Sequence, residues 1–333
     1  WSRERLPMNL RYIVSLPLVR AFAALILVLA LGFYFHADEA FYQWHTHRDM
    51  LRQVSVVGIL ACGLTVVIVT GGIDLAVGSI LALSAVMFSY LAMHREWSTL
   101  PALAACLGMG ALLGSVLGTL IARFRIQAFI ATLAMMVFAR GASKWLSQGQ
   151  KVSRAVQTPE GDFKYVDEPE LFSILDTSLL GQNVAVVTLV FLACLVLCWI
   201  VMEKLRWGRY LYAIGGNEEA TRLSGAPVTA TRIFAYGLSG FLAAVAGICQ
   251  AAQEKQGDPE AGIAFELYAI AMVVIGGTSL SGGRGGIWLT LIGALTYGYL
   301  DKILSINAVE ESNRLMLTGA IIVGAVLFQR SKR

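Results

Sequence analysis

Charge is scarce in this chain. The 26 basic and 22 acidic side chains make up only 14% of 333 residues. A soluble domain carries about 25%, so a water-soluble surface cannot be covered with these. That excludes the arrangement of about two ordinary soluble domains that length alone suggests. The net charge of +4 is too small for a nucleic-acid surface, and no nucleic acid is expected as a partner. Histidine is rarer still. His36, His45, His47 and His94 are the only four, and His45 and His47 stand two apart, poor helical spacing for a shared metal. They read as polar interface residues, and no metal site is expected. The five cysteines, Cys62, Cys106, Cys194, Cys198 and Cys249, all lie inside apolar runs, which argues against a disulfide framework. Cys194 and Cys198, one helical turn apart, read as small apolar residues of a packed helix. Gly-x-Ser-x-Gly and His-Glu-x-x-His are missing, as is any phosphate loop ending in Gly-Lys-Ser or Gly-Lys-Thr. The sequence therefore offers no catalytic residue.

What it has is hydrophobicity. Apolar residues reach 57%, and the mean hydropathy is +0.67. About ten apolar stretches run over 16–35, 54–70, 79–93, 100–121, 127–146, 183–202, 231–252, 264–277, 287–305 and 315–329. Most approach the ~20 residues that span a bilayer. In lipid the backbone must satisfy its own hydrogen bonds, so these are helices. The expected fold is an all-α, multi-pass membrane protein in the lipid bilayer, with residues 1–333 as one transmembrane domain. The second, third and eighth stretches are short and bounded by Gly-rich segments, as broken or half-spanning helices are.

Basic residues fix the expected orientation. Arg3, Arg5, Arg11 and Arg20 mark the amino terminus. Arg123, Arg125, Lys204, Arg206, Arg209, Arg222, Arg284, Arg330, Lys332 and Arg333 fall in alternate connecting segments. The intervening segments are mixed or acidic, with Asp162, Asp167, Glu168, Glu170 and Asp176 in the longest. Ten crossings with both termini cytoplasmic fit this pattern. The loop 147–182 is then extracytoplasmic and the basic loop 203–230 cytoplasmic. The latter reads as one or two short helices, because Asn217 is a capping residue ahead of good helix formers.

Four clusters stand out. In "TGGIDLAVGS", Thr70 to Ser79, Gly71 and Gly72 permit close approach, and Asp74 is a carboxylate in an apolar region. An ionisable residue at membrane depth is a functional candidate, while a helix cap explains Asp74 equally well. A proton or cation site at Asp74 is the reading that a gradient-driven transporter would need. In "VVIGGTSLSGGRGG", Val273 to Gly286, glycines and the hydroxyls Thr278, Ser279 and Ser281 suggest an unwound segment between half-helices. Gly110, Gly114 and Gly118, spaced by four, form a smooth face for helix packing. In the loop 203–230, Glu219, Ala220 and Thr221 precede Gly225, a pattern for a compact helical knob that fits a groove on a partner.

Taken together, "GGIDLAVGS" at 71–79, "FIATLAMM" at 129–136 with "ARG" at 139–141, "GRYLYAIGGNEEATRLSG" at 208–225 and "AIAMVVIGGTSLSGGRG" at 269–285 resemble the ribose-type monosaccharide ABC importer permeases. The resemblance covers nearly the whole chain. It implies a subunit of the bacterial inner membrane that translocates a small neutral sugar or polyol. A second permease subunit (identical or paralogous), cytoplasmic ABC ATPases and an extracytoplasmic sugar-binding protein are the implied partners. ATP and Mg are then used by the ATPase, and this chain binds no cofactor. The coupling helix of such permeases falls on Asn217, Glu219, Ala220, Thr221, Arg222 and Gly225, with Thr221 where the pattern has a second Ala. The path or gate falls on Gly71, Gly72, Asp74, Ser79, Phe129, Thr132, Glu266, Thr278 and Ser279.

Overall fold

The computed structural model describes residues 17–157 and 162–330. Arg3, Arg5, Arg11, Lys332 and Arg333, used above for orientation, lie outside the described residues. Each apolar stretch forms helix: α1 Pro17–Tyr34, α2 Trp44–Val69, α3 Val77–Ser89, α4 Thr99–Ala122, α5 Ala128–Leu146, α7 Val186–Trp199, α10 Val228–Glu254, α11 Phe265–Ile275, α12 Ile287–Ile306 and α13 Glu311–Arg330. Both α3 and α7 end in one wider turn, Tyr90–His94 and Ile200–Lys204. Among the described residues, seven of these helices are long and apolar enough to cross a membrane. The chain is a multi-pass membrane protein.

One expectation needs correction. The second stretch is not short. Its helix begins ten residues earlier than the hydropathy suggests and runs for 26 residues. The opening turns "WHTHRDMLRQ" are polar on average but amphipathic, and they bury Thr46 and Met50. The bundle is all-α as expected, and strand is confined to short pairings in its connections. Two three-residue strands, β1 Ala155–Gln157 and β2 Phe163–Tyr165, pair antiparallel with Val156 opposite Lys164. They sit in the loop 147–182, which is pinned to the bundle by α6, Glu170–Asp176. Phe172 of α6 packs on Phe88 with ring centroids 5.5 Å apart.

Helix α2 is the central element. It is apolar all round from Val54 to Val69, the pattern of a helix buried on every side, and 89% of its apolar window is buried, against 17% for α1. Helices α4 and α10 cross at very short range. A Cβ at Gly110 would stand 2.5 Å from the Gly240 carbonyl oxygen, and one at Gly118 would stand 2.6 Å from the Ile233 Cα. Gly114 lies against the Tyr236 carbonyl in the same row.

The connecting segments gather at two ends. At one end, Gly283 N donates to the Val69 oxygen at 2.9 Å, and the Tyr212 hydroxyl donates to the Gly285 oxygen at 3.1 Å. Arg123, Arg125, Arg206, Arg209 and Arg284 belong to the connections of this end. At the other end, Val152 and Gly257 exchange backbone hydrogen bonds of 2.8 Å. Arg52 pairs with Asp176, Lys255 reaches Glu168 at 3.5 Å, and Asn307 donates to the Phe35 oxygen at 2.9 Å.

Helix α11 is half a span. Its 11 residues cover about 16 Å at 1.5 Å per residue, against about 30 Å of hydrocarbon. The preceding segment dips to meet it. Gly257 packs beside Ala85 and Val86 of α3, and Gly262 packs seven residues lower, against Gly78 and Leu81. Irregular backbone at such depth needs protein around it. Arg140 supplies part of that cover, with Nη1 donating to the oxygens of Pro259 at 2.7 Å and Ala261 at 2.8 Å.

Candidate functional site

The basic end holds a cavity of about 850 Å³. Three pieces of chain form its walls. One is the segment after α2, Thr70 to Ile73. The second is the turn from α4 into α5, including Arg125 and Phe129. The third is a short helix, α9 Glu218–Leu223, with Arg232 and Tyr236 of α10 behind it. Gly71, Gly72, Phe129, Glu219 and Arg222, taken from separate sequence clusters, therefore face one space.

Helix α9 follows α8, Arg206–Gly216, after a one-residue break at Asn217. Asn217 caps it as its residue type predicts: Ala220 N donates to Asn217 Oδ1 at 2.9 Å. Gly225 stops it with φ +82°, in the left-handed region that glycine adopts without strain. Thr221 turns inward, is buried, and donates its hydroxyl to the Asn217 oxygen at 2.7 Å. Glu219, Ala220 and Arg222 face outward. Glu218 ties the helix down through Arg222 on α9 and Arg232 on α10, both at 2.6 Å. Leu223, at the tip, is 83% exposed. Sequence reading missed Glu218, Leu223 and Arg232. The signal was an apolar residue ending a polar helix, and an acidic residue spaced four from Arg222.

The segment between α2 and α3 is held from α10. Asp74 is wholly buried. Its Oδ1 accepts from Ala76 N at 3.0 Å, and its Oδ2 accepts the Ser239 hydroxyl at 2.8 Å. The Tyr236 hydroxyl donates to the Ile73 oxygen at 3.3 Å. Each Asp74 oxygen thus has a donor, and the side chain fastens the chain ahead of α3.

Other candidates lie apart. Ser79 and Thr132 are buried within α3 and α5, and Thr132 donates to the Ala128 oxygen at 2.9 Å. Thr278 is buried in the Gly-rich segment, where Gly286 N reaches its hydroxyl at 3.4 Å. Ser279 N closes a turn on the Arg284 oxygen at 3.0 Å. Glu266 opens α11 and lies against Gly78, away from the basic-end cavity. Arg140, within the quoted "ARG" but not singled out, clasps the segment leading to it.

The site thus combines a cavity at the basic end, a capped helix with an outward face, and a half-span helix. The family described as "Branched-chain amino acid transport system / permease component" matches residues 48–326. The chain belongs to this permease family. It is 40% identical over 287 residues to the ribose import permease protein RbsC of Escherichia coli (strain K12), covering 86% of this chain and 85% of that protein. It is 36% identical over 295 residues to the fructose import permease protein FrcC of Rhizobium meliloti, covering 86% and 78%. It is 33% identical over 280 residues to the L-arabinose transport system permease protein AraH of Escherichia coli (strain K12), covering 84% and 81%. No solved structure matches. As a permease subunit of an ABC importer the chain is not an enzyme, and ATP hydrolysis belongs to separate ATPase subunits.

Proposed function

We propose that this permease is the passage for a small neutral sugar or polyol in an importer of the bacterial inner membrane. Ten crossings carry the passage, with both termini cytoplasmic and the basic end inside, in line with the positive-inside rule. An extracytoplasmic binding protein delivers the sugar to the acidic end. A second permease subunit, identical or paralogous, completes the passage. Cytoplasmic ATPases, using ATP and Mg, dock on α9. The observation that carries this reading is the shared cavity. Glu219 and Arg222 of the outward helix line the same space as Gly71, Gly72 and Phe129 of the bundle, and Glu218 of that helix pairs with Arg232 of α10, so a push on α9 reaches the membrane part.

The test is uptake into right-side-out vesicles with ATP trapped inside and binding protein outside. Radiolabelled ribose, fructose and arabinose serve as probes. The reading expects uptake that needs ATP and survives an ionophore that collapses ion gradients. Uptake abolished by the ionophore with ATP still present overturns it, and makes the carboxylate of Asp74 the residue to examine.

A further inference from the structure

Three Gly-bearing segments, far apart in sequence, meet backbone to backbone at the basic end. They are the end of α2 with Gly71, the end of α8 with Gly215 and Gly216, and the turn at Gly282 and Gly283. A Cβ at Gly282 would stand 2.7 Å from Gly71 N and 3.0 Å from the Gly215 Cα. One at Gly283 would stand 2.9 Å from Gly216 N, and one at Gly215 would overlap the Val69 carbonyl oxygen. Gly283 N also donates to that oxygen at 2.9 Å. Gly71, Gly282 and Gly283 take φ of +78°, +81° and +71°, values that other L-residues adopt only with strain. At Gly215, Gly282 and Gly283 nothing larger than hydrogen fits between these strands of backbone, and packed contacts of this kind transmit displacement rather than absorb it.

The position of this junction gives it a consequence. Gly216 is followed directly by Asn217, the cap of α9. Gly71 is three residues from Asp74, which α10 grips through Ser239. The turn at 282–283 lies in the segment that joins half-span α11 to α12. A displacement of α9 therefore reaches both irregular membrane segments through one backbone contact. We infer that Gly215, Gly282 and Gly283 are positioning residues for energy coupling: they make the docking helix, the 70–76 segment and the 276–286 segment move as one piece. This rests on the docking role of α9 proposed above.

The test uses the permease with its co-purified ATPase in liposomes and a nitroxide on Ser281→Cys. Ser281 is exposed while the five native cysteines are buried, so labelling is selective. Two quantities are read: ATP hydrolysis, and the change in label mobility on adding ATP with vanadate. Gly216→Ala is the control, since no atom lies within 4 Å of its added Cβ, and it should behave as the parent does. Gly215→Ala and Gly282→Ala should keep hydrolysis within about threefold and lose the mobility change by about tenfold, as for an uncoupled pair of sites. A mobility change equal to the parent's in both variants overturns the inference while leaving the importer reading intact. Should neither variant reach the membrane, Gly71→Ala decides, because its methyl has 3.7 Å of room and only the positive φ resists it. A reduced mobility change in that variant supports the inference, and an unchanged one overturns it. A parent protein that purifies without an ATPase overturns the docking reading itself, and this inference with it.

Discussion

The Ser239 hydroxyl on α10 donates to Asp74 Oδ2 at 2.8 Å, inside a region where both residues are out of contact with solvent. The bond fastens the segment between α2 and α3 to a helix that follows it by more than 150 positions. Replacing Ser239 by Ala leaves that oxygen without its donor. The expected loss is about 1.5–3 kcal/mol, the range for a hydrogen bond to a charged group. Thermal unfolding in detergent should show a lowered midpoint. Ser239→Thr, which keeps the hydroxyl, should recover part of it.

Gly114→Leu should be among the most damaging single changes in the bundle. Its Cβ has no room beside the Tyr236 carbonyl on α10. Forcing bulk into a packed crossing costs about 1–3 kcal/mol or more. Membrane abundance and detergent stability are expected to fall together, whereas Gly108→Leu, at an open position on the same helix, should change neither.

Leu223 behaves differently. At 83% exposure it adds little to the fold, so Leu223→Asp should shift stability by no more than about 0.5 kcal/mol. It should still lower ATPase association, measured by co-purification, because a helix that docks in a groove seats its exposed apolar side chains there. Retained association would show that the docking face lies elsewhere on α9.

Arg140 holds the descending segment through the oxygens of Pro259 and Ala261. Arg140→Ala should loosen that segment, and hydrogen exchange should rise across residues 257–264 more than in α3. Arg140→Lys should restore little, since a single ammonium is a poor substitute for the forked guanidinium.

Much of the fold was legible because hydropathy reports burial in lipid directly. The half-span at α11 was readable from its length and the glycines after it. The early start of α2 was not, because its first turns are amphipathic and average to polar. The β1–β2 pair was also hidden: strands of three residues carry too little periodicity to register. At the candidate site, Asn217 announced the start of α9 and Gly225 its end. The grip of Ser239 on Asp74, and the meeting of Gly71, Gly215 and Gly282, could not be read. They are contacts between distant segments, and a single sequence carries no trace of which glycine faces which.

The most direct measurement is purification of the permease from native membranes in mild detergent, with mass spectrometry of the proteins that accompany it, run beside Glu219→Arg. Glu219 lies on the outward face of α9, so reversing its charge should disturb docking without unfolding the bundle. The account predicts a cytoplasmic ATPase with the parent protein and its loss in the variant. A parent protein that comes down without an ATPase, under conditions that hold other ATP-driven importers together, would contradict it.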